Sequence, residues 1–164
     1  MRLIIHDLPP DDAAPSFPPD ETSLVIPAVG PKAPCLGCFG CWLKTPGKCV
    51  LKDRIKDMGK YLSSCNELIV ITKCIYGGFS PDVKNVIDRS ISYILPFFRN
   101  VEHMQHHVPR YQQRFRMRVF AYNTSQLTDD ERAIFGSYVK GVSINLNSAD
   151  YSVVFLSNPG EVSI

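Results

Sequence analysis

The chain has 164 residues, the length of one ordinary domain. Hydrophobic residues make up 45% and charged residues 21%, a globular balance that argues against disorder. The formal net charge is only +2, so composition gives no support to nucleic acid or anionic membrane binding. No apolar run reaches the roughly 18 to 20 residues that cross a bilayer. We therefore predict a single domain over residues 1–164, without a nucleic acid or membrane partner.

The N-terminal part contains two predicted strands with an irregular connection between them. Arg2–Asp7 and Thr22–Ile26 are short apolar runs. The intervening Pro9–Asp20 is rich in proline and acidic residues and has no helical period, which predicts an irregular segment. The apolar part of the N-terminus is also too short for a secretory signal, and this favours a cytoplasmic setting.

Helices and strands alternate through the rest of the chain. Helix starts are predicted at Asp53, at Ser80 followed by Pro81, and at the capping box Thr128–Glu131. Residues 97–116 are predicted as a polar and aromatic connection, and Ser157–Ile164 is too short for another helix. The predicted helices are 53–64, 81–95 and 129 onward, and the predicted strands are 67–72, 117–122 and 151–156. The last helix is expected to bury Ile134, Phe135, Tyr138 and Val139.

Short apolar strands that alternate with amphipathic helices indicate an α/β protein with a mostly parallel sheet. Five strands fit a flavodoxin-like three-layer fold with the strand order 2-1-3-4-5. The first and last helices, which would cover the same face of that sheet, are missing from the pattern. Because the strands look apolar on both faces, we expect a second subunit or the Pro9–Asp20 segment to cover that face. A homo-oligomer is the predicted partner state.

The cysteines are the main compositional deviation. Four of the six lie within fifteen residues, at Cys35, Cys38, Cys41 and Cys49. In a reducing compartment, clustered thiols indicate metal or redox chemistry before structural disulfides. Tetrahedral zinc, thiols packed as small hydrophobic groups, and a disulfide all remain open.

Three segments together resemble a known family: Pro34–Asp53, Ile75–Arg89 and Glu102–Tyr111. They are similar to the flavodoxin-like NAD(P)H-dependent FMN reductases, and within them to the branch that includes the iron–sulphur flavoproteins. The resemblance implies an FMN bound at the carboxyl edge of the sheet and NAD(P)H as its electron donor. It also implies that Tyr76, Gly77, Gly78 and Phe79 approach the isoalloxazine ring, and that Cys35, Cys38, Cys41 and Cys49 hold a [4Fe–4S] cluster.

One segment departs from this family's pattern. After the first strand the family has a loop rich in Gly, Ser and Thr that wraps the FMN phosphate, whereas this chain has Asp7–Asp12. Prolines lack the N–H donor and aspartates repel a phosphate, so the phosphate anchor is missing. Two hypotheses follow. The chain is an FMN-dependent oxidoreductase or electron-transfer flavoprotein, or it is a non-enzymatic relative that acts as an assembly or thiol/metal-binding module. No side chain is assigned a catalytic role.

Overall fold

The computed structural model describes residues 1–11 and 22–164. Its strands are β1 (Arg2–His6), β2 (Ser23–Pro27), β3 (Glu67–Ile75), β4 (Gly78–Phe79), β5 (Ile94–Val101), β6 (Met104–Pro109), β7 (Arg116–Tyr122) and β8 (Asp150–Phe155). The helices that lie wholly within the described residues are α1 (Gly40–Leu43), α2 (Met58–Ser64), α3 (Pro81–Arg89) and α4 (Asp129–Asn145). Two short 3₁₀ turns cover Ser90–Tyr93 and Pro159–Glu161.

The central sheet has the order β2-β1-β3-β7-β8, and all of its neighbouring strands are parallel. This confirms the predicted flavodoxin-like order of five parallel strands. The short β4 adds an antiparallel partner to the end of β3, at Cys74 and Ile75. Since β2 and β3 lie on opposite sides of β1, the strand order reverses between β1 and β3, and ligands bind outside the carboxyl ends of the strands at such a point.

One face of the sheet packs against α2, α3 and α4. The central strands contribute fully buried Leu68, Val70 and Val119, and the helices contribute side chains such as Val83 and Phe135. Burial of apolar side chains on this scale is the main stabilising contribution to a domain of this size. The main core therefore lies on the helix-covered side.

The predicted helix starts at Ser80 and Thr128 are confirmed. The Ser80 hydroxyl accepts the Val83 N–H at 3.3 Å, and Thr128 forms a reciprocal capping box with Glu131. The predicted core face of α4 is wrong at Ile134, whose side chain is 60% exposed, because the buried stripe of this helix follows Phe135 and Val139 instead.

The second face of the sheet is half apolar and half charged. Its apolar half is buried within the chain, where Val162 and Ile164 pack against it; its most buried members are Ile4, Ile69, Ile71 and Phe120. In its other half, Glu67 lies between Arg2 and Arg118, with nitrogen–oxygen distances of 3.1 and 3.4 Å. The strands are therefore apolar on both faces over only part of their length, because Arg2, Glu67 and Arg118 occupy the rest of this face. The predicted homo-oligomer stays a prediction.

The sequence predicts no helix after β8. In the described residues, only the 3₁₀ turn Pro159–Glu161 follows that strand. The corresponding prediction after β1 falls largely on residues 12–21, which lie outside the described residues. Within residues 1–11 and 22–164, no helix combines the length and apolar character needed to cross a bilayer.

Two predicted elements end differently from the sequence pattern. The helix predicted from Asp53 begins only at Met58; the Asp53 carboxylate accepts the Ile55 N–H in the turn before the helix and also binds Arg89. The helix predicted to residue 95 ends at Arg89 and continues as the 3₁₀ turn Ser90–Tyr93. Ile94 then starts a strand, so apolar side chains at helical spacing did not mark the end of the helix.

The predicted connection over residues 97–116 is wrong as well, because most of it belongs to the β5–β6 hairpin. The two turn residues, Glu102 and His103, have φ values of 50° and 65°. A two-residue turn with both φ values positive matches the twist of the flanking strands. The sequence lacks the usual Asn-Gly or Asp-Gly signal there, so nothing local marked the hairpin.

Candidate functional site

The carboxyl ends of β1, β3 and β7 meet at one edge of the sheet, which we call the carboxyl edge. β1 ends at His6, β3 at Ile75 and β7 at Tyr122. The hydroxyl of Tyr122 donates to the carbonyl oxygen of Asp7 at 3.3 Å, so the ends of β1 and β7 are tied together across β3. This edge is the place where the fold positions a ligand.

The predicted flavin-ring residues form a tight hairpin at this edge. Cys74 pairs with Phe79 and Ile75 with Gly78, which leaves Tyr76 and Gly77 as a two-residue turn. Both turn residues have positive φ, 49° and 73°, and the Tyr76 ring is fully exposed. A β-carbon at position 77 would also lie 3.3 Å from Ile134, so glycine is favoured there for two reasons.

Phe79 differs from the other three residues predicted to approach the ring. Its side chain is buried in the main core, with ring centroids 4.9 Å from Tyr138 and 6.0 Å from Phe135. Because the Phe79 ring packs edge-to-face against these two rings, its faces are not available to stack on a flavin. Of the four predicted ring residues, Phe79 is therefore buried away from the carboxyl edge, whereas Tyr76 stands exposed in its turn.

Asp7, which directly follows β1, forms hydrogen bonds with neighbouring strands at the carboxyl edge. Both of its carboxylate oxygens accept the Lys73 N–H, at 3.1 and 3.2 Å. Burial raises the pKa of Asp7, and interactions with Ser80, Lys73 and Tyr122 offset part of that rise. The adjacent His6 is also buried, which lowers its pKa to about 4. The Asp7 carboxylate, at the end of β1, thus takes the Lys73 N–H of the neighbouring strand β3.

The described part of the loop after β1 does not fit an FMN phosphate. Asp7 presents a carboxylate, and Pro9 and Pro10 have no N–H to donate. A phosphate needs several backbone donors and no fixed negative charge nearby. Among residues 1–11, the structure therefore agrees with the sequence in offering no phosphate cradle.

The four clustered cysteines line one cavity of about 40 Å³, which we call the thiol cavity. All four thiols are free; Cys35 and Cys38 are exposed, Cys49 is half-buried and Cys41 is buried. Burial raises the pKa of Cys41, and the other three cysteines raise it further, Cys49 most of all. The other lining residues include Trp42, Val50, Leu51 and Ile91. All four cysteines therefore border the same cavity, and their predicted role as ligands of a cluster stays a prediction.

Arg89 lines the thiol cavity with a guanidinium that has no exposed surface. Its Nη1 and Nη2 donate to the two carboxylate oxygens of Asp53, at 2.8 and 2.9 Å, and Nη1 also donates to the Ala33 carbonyl at 2.7 Å. Burial lowers the pKa of Arg89, but its interactions with Asp53 and with the Cys49 sulfur raise it by more. Among the described residues, Nε has no hydrogen-bond partner.

Asp53 connects the start of the cysteine loop to the end of α3. Its Oδ2 accepts the Ala33 N–H at 3.1 Å, and its Oδ1 accepts the Ile55 N–H at 3.2 Å. The Arg89 guanidinium lowers the pKa of this carboxyl group below its usual value. A bidentate ion pair with a buried guanidinium is a strong geometric restraint. It holds the loop that carries the thiols against α3.

Trp42 and Gly40 explain the local shape of the thiol cavity. The indole N–H of Trp42 donates to the carbonyl of Ile94 at 2.9 Å, which anchors α1 to the segment after α3. A β-carbon at Gly40 would lie 2.6 Å from the Val50 side chain, so only glycine allows this close approach. The cavity is therefore built by the loop's own packing.

The thiols do not form a metal site as they stand. Over residues 1–11 and 22–164, no group of three or more His, Cys, Asp or Glu side chains could hold one metal ion. The sequence pattern did not mark Arg89 or Asp53 as residues of this site. Arg89 follows the apolar Val83 and Val86 at three-residue spacing, which places it on their face of α3, and the structure buries all three residues.

The two remaining cysteines, Cys65 and Cys74, lie outside this cluster. Cys65 is fully buried, and burial raises its pKa to about 12. Cys74 is half-buried in the strand before the Tyr76 turn, and burial raises its pKa too. Neither lines the thiol cavity, which makes both useful reference thiols.

Strand order, the parallel sheet and the helix-covered face define a flavodoxin-like α/β protein. Solved structures similar to this chain include an FMN-dependent NADH-azoreductase from Bacillus anthracis str. Ames Ancestor in complex with FMN. The similarity covers 99% of this chain and 88% of that chain, with a TM-score of 0.54 and 14% sequence identity. At this identity the likeness establishes the fold. Neither a protein-family model nor a curated protein sequence matches the chain.

Proposed function

We propose that this chain is a flavodoxin-like FMN-dependent oxidoreductase that takes electrons from NAD(P)H. The carboxyl edge carries the proposal, because the order of β2, β1 and β3 creates the switch point where this fold binds ligands. The exposed Tyr76 turn lies at this point. The similar azoreductase, described as FMN-dependent and solved with FMN, supports the choice of ligand.

The residues of the chain would contribute mainly position and shape. Tyr76 would contact the flavin ring, and Gly77 and Gly78 would let the backbone come close to it. Bound FMN would itself supply the hydride chemistry between NAD(P)H and an acceptor. Since residues 1–11 offer no phosphate cradle, we assign the binding energy of FMN to contacts with the ring and not to contacts with the phosphate.

Binding of FMN to the purified protein tests the proposal directly. We expect quenching of flavin fluorescence and a dissociation constant in the micromolar range or below. Replacement of Tyr76 by Ala should weaken binding about three- to tenfold, as expected for the loss of one aromatic contact. Tyr151→Ala is the matched control, because Tyr151 is a partly exposed aromatic residue at the opposite end of the sheet. No binding at millimolar FMN would reject the proposal.

A second comparison tests the role of Asp7. The Asp7→Asn variant removes a negative charge beside the expected phosphate position and keeps an oxygen for the Lys73 N–H. We expect its FMN affinity to rise about tenfold and its riboflavin affinity to change little, because riboflavin has no phosphate. An equal change for both flavins would show that Asp7 does not face the phosphate.

The iron–sulphur cluster is a finer prediction that remains untested. Four thiols around one cavity, next to a guanidinium, have the ligand chemistry that a [4Fe–4S] cluster uses. Their present arrangement does not fit a metal site, so no step of the proposed reaction depends on a cluster. Iron analysis and absorbance at about 400 nm after anaerobic purification test it. A protein without iron would reject it.

A further inference from the structure

An exposed apolar surface lies beside the thiol cavity and takes no part in the proposed flavin site. We call it the aromatic face, and its members are Leu36, Phe39, Trp42, Leu43, Phe98 and His107. Four of them are more than half exposed, at 64% for Leu36, 56% for Phe39, 79% for Leu43 and 63% for Phe98. Single exposed apolar residues are ordinary on a protein surface, whereas a contiguous group of them marks a contact surface.

Four rings of the aromatic face form an unbroken row. The ring centroid of Phe39 lies 5.4 Å from that of Trp42, the Trp42 centroid 5.5 Å from that of His107, and the His107 centroid 4.7 Å from that of Phe98. The row therefore joins α1, which follows Phe39, to the β5–β6 hairpin, which carries Phe98 and His107. These rings form one surface although they come from distant parts of the sequence.

The two leucines extend the row toward the cysteine loop. The Leu43 N–H donates to the Phe39 carbonyl at 3.1 Å, which places Leu43 one turn further along α1. Leu36 and Phe39 both line the thiol cavity, together with the exposed Cys35 and Cys38. A body that packs on the aromatic face would therefore also cover the exposed side of the thiol cavity.

Hydrogen bonds hold the middle of the row in place. The indole N–H of Trp42 donates to the Ile94 carbonyl at 2.9 Å, and Nδ1 of His107 lies 2.8 Å from the Leu95 carbonyl oxygen, to which it donates. Rings that are already fixed lose little conformational freedom on binding, so less of the binding energy is spent on ordering them. The face is thus built as a rigid contact surface.

The apolar area of the face is close to the area that one partner of a stable dimer buries. A large apolar side chain offers on the order of 150–200 Å², so the exposed parts of the six members give about 500 Å². A standard interface buries roughly 800 Å² per partner, and about 65% of this is apolar in homodimers. The aromatic face alone therefore supplies the apolar area of one side of such an interface.

We propose that the aromatic face is the contact surface of a homodimer, in which a second copy of this chain packs its own aromatic face against it. No member of the face is Asp, Glu, Lys or Arg. Depletion of charge is typical of homodimer interfaces, and two identical uncharged faces meet without repulsion between like charges. The second copy then lies on the helix-covered side, where Trp42 packs against the main core, and not on the half-charged second face of the sheet.

The test measures the mass of the full chain by sedimentation equilibrium, without added flavin. We expect twice the mass of one chain at about 50 μM protein. The Phe98→Asp and Leu43→Asp variants each place a charge in the contact and should raise the dimer dissociation constant at least about tenfold. Both positions are exposed and lie on different elements, so far-UV circular dichroism should match the wild type and each variant checks the other.

The matched control is Ile134→Asp. Ile134 is as exposed as the members of the face, but it lies on α4 beside Gly77 at the carboxyl edge. This variant should form dimers like the wild type. The same charge at an equally exposed apolar position thus separates a loss of the contact from a general effect of added charge on solubility.

The single tryptophan, Trp42, gives a second measurement at the face itself. Because the partner covers it in the dimer, acrylamide should quench its fluorescence at least about twofold more strongly in Phe98→Asp than in the wild type. Three results would overturn the inference: a monomer at about 50 μM wild-type protein, a dimer that persists in both Asp variants of the face, and equal quenching in Phe98→Asp and the wild type. Flavin binding is not part of the measurement, so its failure leaves this result intact.

Discussion

The carboxyl edge and the thiol cavity lie at opposite ends of α3, which spans about 12 Å at 1.5 Å per residue. At the carboxyl edge, the Lys73 N–H is already used by the Asp7 carboxylate. In the thiol cavity, four sulfurs are free and the Arg89 Nε has no partner among the described residues. The fold predicts a ligand site at the carboxyl edge, whereas the free thiols and the unpartnered guanidinium nitrogen lie in the thiol cavity. Fold alone therefore does not locate all the reactive chemistry of this chain.

The largest expected effect is a loss of folding stability when the ion pair that borders the thiol cavity is broken. Asp53→Ala leaves the fully buried Arg89 guanidinium without its carboxylate, and loss of one partner of a buried pair costs about 3–5 kcal/mol. Urea unfolding measures the change in the free energy of unfolding. The control is Asp150→Ala, which breaks the exposed pair with Arg116 and should cost less than about 1 kcal/mol. Equal losses in both variants would mean that the cavity is not held by this ion pair.

The second effect concerns acid sensitivity at the carboxyl edge. Burial lowers the pKa of His6 to about 4, so the folded state keeps it neutral while the unfolded state binds a proton below about 6.5. The resulting stability is complete above pH 6.5 and is lost as the pH falls toward about 4, by an amount on the order of 3 kcal/mol. The raised pKa of Asp7 acts in the opposite direction, since acidification favours its protonated, folded form.

The His6→Gln variant should lose much less folding stability than the wild type between pH 7 and pH 4, because glutamine does not titrate. Urea unfolding at several pH values measures it. The matched control is His103→Gln, in the exposed turn of the β5–β6 hairpin, which should keep the wild-type pH dependence. An identical profile for His6→Gln and the wild type would place the acid sensitivity elsewhere.

The smallest effect tests whether the two regions are coupled through α3. Ser80→Ala removes the cap of this helix and should cost about 1 kcal/mol, similar to Thr128→Ala at the cap of α4. Because Ser80 also interacts with Asp7, its loss should raise the pKa of Asp7 further. The rate at which iodoacetamide alkylates the free thiols of the cavity should not change. A slower rate in Ser80→Ala alone would show that the carboxyl edge and the cavity are not independent.

Local sequence signals predicted the elements of the fold well. The strands β1, β3, β7 and β8 coincide with short, largely apolar runs, and two helices begin where Ser80 and Thr128 offer side-chain caps. These signals depend on neighbouring residues only. The strand order followed from the general rules for parallel sheets and not from any single residue.

Local sequence signals did not predict the β5–β6 hairpin or the burial of Phe79. Glu102 and His103 adopt positive φ without being residues typical of that conformation. Phe79 follows two glycines and resembles a loop residue, but β4 turns it toward α4. In both cases, pairing or packing with a distant part of the chain overrides the local preference.

The sequence by itself determined the α/β class, the helix caps, the cluster of four cysteines and the poor fit of Asp7–Asp12 to a phosphate. Only the tertiary structure decided that Asp53, 36 residues before Arg89, would bind that arginine and so build the wall of the thiol cavity. It also decided that the Lys73 N–H, 66 residues after Asp7, would meet its carboxylate. The physical reason is that hydrogen bonds between distant residues depend on how the elements pack, and a local pattern carries no information about that packing.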